Sequence, residues 1–204
     1  MKPTIARVLR VPRVVVTLLM VALFAPSAFA QPTPKARVDT VYGHIKKAAE
    51  TAETQDKLIE LVTGELDTFI DYEAFSARTL KTSWPKLTEA QRATFIDRFK
   101  RLIIKTYAKK FQPKTVFTIE HRGEVPDKES GVVIKTTVRG SKVAADVDYH
   151  LVVGKAGPKA IDIVIDEVSM ALNWRKQFER IIAKDGFDAL IARINKRVET
   201  GEEK

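Results

Sequence analysis

The clearest structural signal in this chain is carried by the segment Asp166-Glu167-Val168-Ser169-Met170-Ala171-Leu172-Asn173-Trp174-Arg175-Lys176-Gln177-Phe178. Before the segment, apolar residues alternate with polar ones, as in a strand with one buried face, at Ile161, Ile163 and Ile165. Within and after it, apolar residues recur at helical spacing, at Trp174, Phe178 and Ile182. The segment therefore predicts a strand that runs into a helix without a linker.

Four alternating runs, which end at this segment, predict four half-buried antiparallel strands. Their apolar residues are Phe117 and Ile119; Val132, Ile134 and Val138; Val143, Val147, Tyr149, Leu151 and Val153; and Ile161, Ile163 and Ile165. Charged residues occupy positions of the opposite parity, at Glu120, Lys135, Asp146, Asp148, Asp162 and Asp166. One face of the sheet should therefore contact water, while the other packs against helices.

Helical spacing dominates the first half of the chain, after a proline-containing lead-in over residues 31–36 that we expect to be disordered. Thr88 and Gln91 form a capping box, because the hydroxyl can accept the third-residue N–H while the amide reaches back to the cap. The long helix that they open should end before Pro113.

Helical spacing returns after the strands. Asn173 is the predicted N-cap of a helix over residues 174–184, Gly186 should end that helix, and residues 199–204 should form a disordered tail. Helices, a roughly four-stranded meander and further helices together predict an α+β fold, with helices packed on one face of a twisted antiparallel sheet.

The first 30 residues read as a secretory signal peptide. Four cations precede an apolar run over Val14–Phe24, and Ala28-Phe29-Ala30 offers small residues at the cleavage positions. As a helix that run spans roughly 16 Å, against a hydrocarbon core of about 30 Å, so an uncleaved anchor is the weaker alternative. Cleavage after Ala30 would leave one exported, soluble domain over residues 31–204. The chain has no cysteine, which excludes a lipoprotein anchor.

Charge argues against nucleic acid as a partner. The 35 lysines and arginines and 26 acidic residues give a net charge of +9, which falls to +5 once the four cations of the leader are removed. The remaining cations are interleaved with acidic residues rather than clustered. Such a surface suits brief contact with anionic membranes or acidic partners.

The residues needed for catalysis or metal binding are sparse. The sequence contains no cysteine and no Gly-x-Ser-x-Gly motif, and His44, His121 and His150 are scattered without the spacing of a zinc site. Asp146 and Asp148 fall on one strand face and are explained by a solvated sheet. We therefore predict no catalytic residue, no metal and no cofactor.

Large apolar side chains are abundant on several elements that should converge. They are Phe95, Phe99 and Ile103 on the long helix, Tyr149 and Leu151 on the sheet, and Trp174, Phe178 and Ile182 on the later helix. Periodicity alone cannot distinguish a filled core from a cavity.

Two blocks of residues resemble the MlaC family of periplasmic phospholipid carriers, also called the toluene-tolerance auxiliary family. One block is the segment quoted above, with Val147-Asp148-Tyr149 before it and Gly186-Phe187-Asp188-Ala189-Leu190 after it. The other comprises Phe69-Ile70-Asp71, Phe75, Ala77-Arg78, Leu80, Trp84, Leu87-Thr88, Gln91, Phe95, Phe99 and Thr106-Tyr107-Ala108. The resemblance extends from about Val38 to Ile194.

The resemblance implies a periplasmic protein that has no cofactor, shuttles a glycerophospholipid as its cargo, and so maintains outer-membrane lipid asymmetry. The implied partners are an inner-membrane ABC transporter complex with its substrate-receiving component and an outer-membrane lipoprotein–porin complex. The acyl chains would lie between helices and sheet, against Phe75, Leu80, Trp84, Phe95, Phe99, Ile103, Tyr107, Phe117, Ile119, Tyr149, Leu151, Ile163, Ile165 and Phe178.

The sequence departs from the family pattern in two places and leaves two other functions open. Gly157-Pro158-Lys159 stands where Gly-x-Trp is usual, and Glu167 stands where glycine is common, which could stiffen the strand-to-helix hinge. One alternative is a carrier of hopanoids or other isoprenoid lipids. The other is an exported enzyme on a cystatin-like or nuclear-transport-factor-like scaffold.

Overall fold

The fold is an antiparallel sheet covered by helices, seen in a computed structural model that describes residues 31–107, 112–140 and 144–200. In that part of the chain the helices are α1 (Pro34–Thr51), α2 (Gln55–Phe69), α3 (Tyr72–Thr79), α4 (Glu89–Tyr107), α5 (Met170–Asp185) and α6 (Phe187–Thr200), with a 3₁₀ turn at Trp84–Lys86. The strands are β1 (Phe117–Asp127), β2 (Gly131–Gly140), β3 (Ala144–Gly154), β4 (Gly157–Ile165) and β5 (Val168–Ser169). The predicted signal peptide and residues 201–204 lie outside the described residues, and Glu199 and Thr200, which were expected in the disordered tail, belong to the end of α6.

The strands form one sheet in the order β1-β2-β3-β4-β5, and every pair is antiparallel. The α+β prediction is confirmed, with one strand more than the four expected. The additional strand, β5, has only two residues and pairs with the end of β4, so it is too short to show an alternating pattern. On the solvent face Arg122 bridges Asp146 and Asp148, at 3.2 and 3.0 Å, as expected for a wet surface.

The helices cover the sheet in two groups. One is the α1–α2 hairpin, in which α1 packs against β1 and β2, and α2 against β4. The other consists of α3, α4, α5 and α6, which pack on one another. Aromatic rings fill this second group, with centroids 5.2 to 6.4 Å apart, at Phe75, Trp84, Phe95, Phe99, Trp174 and Phe178.

Local capping explains where the helices begin. The Thr88–Gln91 capping box is confirmed, since each backbone N–H donates to the other residue's side chain, at 2.9 and 3.2 Å. Thr33 caps α1, which therefore starts at Pro34, within the lead-in that we expected to be disordered. Gly186 ends α5 with φ 86°, as predicted.

The strand-to-helix segment differs from its prediction in two respects. The N-cap of α5 is Ser169 rather than Asn173, because the Ser169 hydroxyl accepts from the N–H of Leu172 at 3.1 Å, and the helix begins four residues earlier than expected. Asp162, which parity placed on the wet face, is fully buried. The structure explains the burial, because α3 and α5 pack over this end of β4 and supply the donors that the carboxylate needs.

The turn between β4 and β5 holds Asp166 and Glu167 at φ 47° and 67°, the positive values that a two-residue type I′ hairpin requires. Glycine is preferred at the second position, and the left-handed conformation costs another residue about 1–2 kcal/mol.

We expect Glu167→Gly to raise the free energy of unfolding by about 0.5–1 kcal/mol in urea denaturation, because relief of strain exceeds the entropy cost of glycine. Glu167→Ala retains the Cβ and should give no gain; equal gains would show that removal of the carboxylate is the cause.

Candidate functional site

A cavity of about 780 Å³ lies between the α1–α2 hairpin and the helix-facing side of the sheet. Most of its walls are aliphatic or aromatic. The lining residues are Val38, Val41, Tyr42, Ile45, Leu66, Phe69, Gln112, Thr115, Phe117, Val138, Gly140, Ala144, Ala145, Val147, Tyr149, Ile163, Ile165, Asp166 and Met170. Its size falls within the range of pockets that bind a small molecule in proteins.

Helical and strand periodicities build the walls. On α1, the lining residues Val38, Val41, Tyr42 and Ile45 follow the i, i+3, i+4, i+7 spacing that places side chains along one stripe of a helix. On the sheet, lining residues fall at every second position, as in the pair Val147 and Tyr149 of β3 and the pair Ile163 and Ile165 of β4.

The polar side chains among the described lining residues are Tyr42, Gln112, Thr115, Tyr149 and Asp166. The Tyr42 hydroxyl donates to the carbonyl of Phe117 at 2.5 Å. Burial, together with the nearby charge of Glu50, raises the pKa of Tyr42 to about 12, and burial raises the pKa of Tyr149 to about 12. Both phenols are therefore un-ionised at neutral pH, and among the described lining residues Asp166 is the one carboxylate and no lysine, arginine or histidine occurs.

The chain is similar to known proteins both in sequence and in fold. The model of the MlaC protein family matches residues 35–196. The chain belongs to the MlaC family. Among solved structures, the phospholipid-binding protein from Ralstonia solanacearum, in complex with a phospholipid, shares the fold of this MlaC chain with a TM-score of 0.73. The two are 22% identical, and the match covers 81% of this chain and 96% of that chain. No curated protein sequence matches this MlaC-family chain.

The predicted pocket residues of this MlaC-family chain fall into two places in the structure. Phe117, Tyr149, Ile163 and Ile165 line the cavity. The rest of the described side chains belong to the packed core or pack against it: Phe75, Leu80, Trp84, Phe95, Phe99, Ile103, Ile119, Leu151 and Phe178. Tyr107 ends α4, and its side chain is outside the described part. That these 14 residues contact lipid stays a prediction.

The α1 wall was missed as a site by sequence reasoning, although its helical periodicity was visible. A stripe of small aliphatic residues on an N-terminal helix has the same pattern whether it packs on a filled core or borders a cavity. Phe69 was likewise visible in the block Phe69-Ile70-Asp71 that resembles the family, but it was not predicted as a pocket residue. It meets Tyr149 of the cavity wall edge to face, with ring centroids 5.8 Å apart.

A charged cluster at the solvent side of α1 joins this wall to the sheet. Asp39 accepts from Lys35 at 2.8 Å and contacts Nε2 of His121 on β1 at 2.5 Å. Burial alone would raise the pKa of Asp39, but hydrogen bonds from Lys35 and His121, with the positive charge of both, hold that pKa below its ordinary value. The folded state therefore favours the ionised form of the Asp39 carboxylate.

The depressed pKa of Asp39 predicts a pH-dependent contribution to stability. Because it lies below the value of about 3.9 for an unfolded aspartate, the contribution is fully present above about pH 4 and is lost as the pH falls through the folded-state pKa. We expect Asp39→Asn to lower the free energy of unfolding at pH 6–7, with the difference shrinking below pH 4 in chemical denaturation. Glu53→Gln, at an exposed position, should show no such trend, and a pH-independent deficit in Asp39→Asn would contradict the assignment.

Within residues 31–107, 112–140 and 144–200, no three His, Cys, Asp or Glu side chains are grouped as a metal site would require. No helix in the same ranges is long and apolar enough to cross a membrane. The three histidines each approach a carboxylate, with His44 next to Glu65 at 2.9 Å and His150 within 3.7 Å of Asp127.

Proposed function

We propose that this protein is a periplasmic carrier that holds a glycerophospholipid by its acyl chains in the cavity between the α1–α2 hairpin and the sheet. The observation that supports this most directly is the apolar cavity of about 780 Å³ in a chain of the MlaC family. The related protein from Ralstonia solanacearum, of the same fold, binds a phospholipid. The headgroup would remain near solvent, because the described lining residues include no cation that could pair with its phosphate.

The energetics of an apolar cavity suit transport between membranes. Burying about 30 methylenes at roughly 0.8 kcal/mol each stabilises a bound diacyl lipid by on the order of 24 kcal/mol relative to water. Release into water would therefore be negligible. A bilayer offers the acyl chains nearly the same environment, so transfer to a membrane or membrane complex is almost balanced, and small docking energies can set its direction.

The proposed cycle is ligand exchange, in which no covalent bond is made or broken. The lipid would pass between an inner-membrane ABC transporter complex with its receiving component and an outer-membrane lipoprotein–porin complex, and this traffic would maintain outer-membrane lipid asymmetry. Location in the periplasm is supported by the leader-like first 30 residues and by membership of the MlaC family.

Native mass spectrometry of the protein purified from the periplasm tests this proposal. We expect a stoichiometric mass shift, and denaturing extraction should identify the added mass as a diacyl phospholipid. An isoprenoid or hopanoid in its place would redirect the proposal to a different lipid class. A folded, monodisperse protein that carries no lipid, and takes none from phospholipid vesicles, would reject it.

A further inference from the structure

The solvent-facing side of α5 carries a row of three cations. Lys176, Arg180 and Lys184 are four residues apart and exposed, opposite the buried residues Trp174 and Phe178. None of the three forms an ion pair or a hydrogen bond through its side chain within the described part of the chain. They span about 12 Å along the helix. We call these three residues the cationic row.

Nearby acidic side chains on the same helix have other partners. Glu179 accepts from the backbone N–H groups of Thr82 and Ser83 at 2.8 and 3.1 Å, and from the Ser83 hydroxyl. Asp185 is bound by Arg193 at 2.6 Å. Both carboxylates therefore have partners on neighbouring elements, and no described carboxylate pairs with the cationic row.

Two exposed apolar side chains continue the row toward the cavity. Leu172 is one helical turn before Lys176 and is 42% exposed, and Val168 is 56% exposed. Val168 pairs with Ile165, and directly opposed residues of antiparallel strands project on the same face, so Val168 lies on the cavity side of the sheet. Val168, which lies beyond Leu172 at the apolar end of this line of side chains, therefore borders the cavity wall.

We propose that Val168, Leu172 and the cationic row form a docking surface for the anionic surface of a phospholipid bilayer, which brings the cavity rim to the membrane. Three cations spaced along one face of a helix, with two exposed apolar side chains beside them, are complementary to the diffuse negative charge of an anionic membrane surface. A stable protein interface would need an apolar centre within about 1,000 Å² or more of buried area. The use of this surface rests on the proposed carrier function, because docking there would hold the cavity rim at the membrane where the lipid is exchanged.

The test is co-sedimentation of the protein, expressed from the full-length chain and purified after export, with phosphatidylcholine vesicles that contain or lack phosphatidylglycerol. We expect salt-sensitive binding to the anionic vesicles only. Lys176→Gln/Arg180→Gln/Lys184→Gln should weaken that binding on the order of 100-fold. Replacing Lys176 and Lys184 by arginine should retain the binding to anionic vesicles, because the substitution keeps the positive charge.

The matched control is Lys47→Gln/Lys128→Gln/Lys155→Gln, which removes the same charge from exposed positions that form no ion pair with another described residue. It should stay within a few fold of the wild type, and circular dichroism should show both triple variants folded. Equal weakening in both variants, or equal wild-type binding to neutral vesicles, would overturn the proposal. So would row-dependent binding to polyglutamate without vesicle binding, which would assign the surface to an acidic protein.

The two proposals fail separately. Lipid occupancy measured by native mass spectrometry reports the carrier function, whereas vesicle binding reports the docking surface. A wild type that carries phospholipid but ignores anionic vesicles overturns only the docking surface. A wild type that binds anionic vesicles through the cationic row but never carries lipid overturns only the carrier function.

Discussion

Replacing Val147 by aspartate should empty the protein of lipid while leaving it folded. Val147 is half-buried on β3, lines the cavity and faces the α1 wall, so an aspartate there would place a carboxylate against the acyl chains. Burying an unpaired charge costs several kcal/mol, and 3 kcal/mol corresponds to more than about 100-fold in affinity. We expect the mass shift of bound lipid to disappear in native mass spectrometry of the purified variant.

The matched control for this experiment lies on the same strand. Val153→Asp makes the same chemical change at a position that is 61% exposed and outside the cavity wall, so it should keep the wild-type lipid content. Thermal unfolding of both variants checks that neither is globally destabilised. Full lipid occupancy in a folded Val147→Asp variant would mean that the acyl chains lie elsewhere, and the cavity assignment would be wrong.

The choice of Val147 shows where sequence reasoning reaches its limit. From the sequence, Phe99 and Leu151 are equally good candidates for the pocket wall, because both are apolar and point inward. Both are fully buried, and Phe99 stacks on Phe95 with ring centroids 5.2 Å apart. Aspartate at either position would disrupt packing before it tested lipid binding. Periodicity identifies the face of an element that turns inward, but whether that face meets a side chain or a void depends on how the elements pack.

The fold itself was more accessible to prediction, for a physical reason. Hydrophobic periods of 3.6 and 2 are local properties, so the helices, the strands and the capping box at Thr88 and Gln91 could be predicted without knowledge of tertiary contacts. The errors occur where a tertiary contact determines the local structure. Ser169 caps α5 because β5 holds it at the turn, and Asp162 is buried because two helices cover it. Neither contact has a signature within a short window of sequence.

Asp162→Ala should be among the most destabilising single substitutions in the protein. The carboxylate is fully buried and accepts four hydrogen bonds, from Arg78 Nε at 3.2 Å, Ser169 Oγ at 2.5 Å, and the N–H groups of Ile163 and Ala171 at 2.9 and 3.1 Å. Its loss would leave these donors unsatisfied and remove a partner of a largely buried guanidinium. Breaking a buried charged pair typically costs about 3–5 kcal/mol. For a domain of this size that corresponds to a fall in Tm of about 10 °C, measurable by calorimetry.

Glu129→Gln provides the control, because it removes the other carboxylate that binds Arg78. Arg78 donates to Glu129 at 2.7 Å, but the Glu129 side chain is 65% exposed, so water can replace it and the loss should stay below about 1 kcal/mol. Similar losses in the two variants would show that Arg78, rather than the buried carboxylate, governs this region. A much larger loss in Asp162→Ala would identify Asp162 as the residue that fixes α3, β4 and the start of α5 together. Since Met170 and Ile165 of this junction line the cavity, the same substitution should also lower lipid occupancy in whatever fraction remains folded.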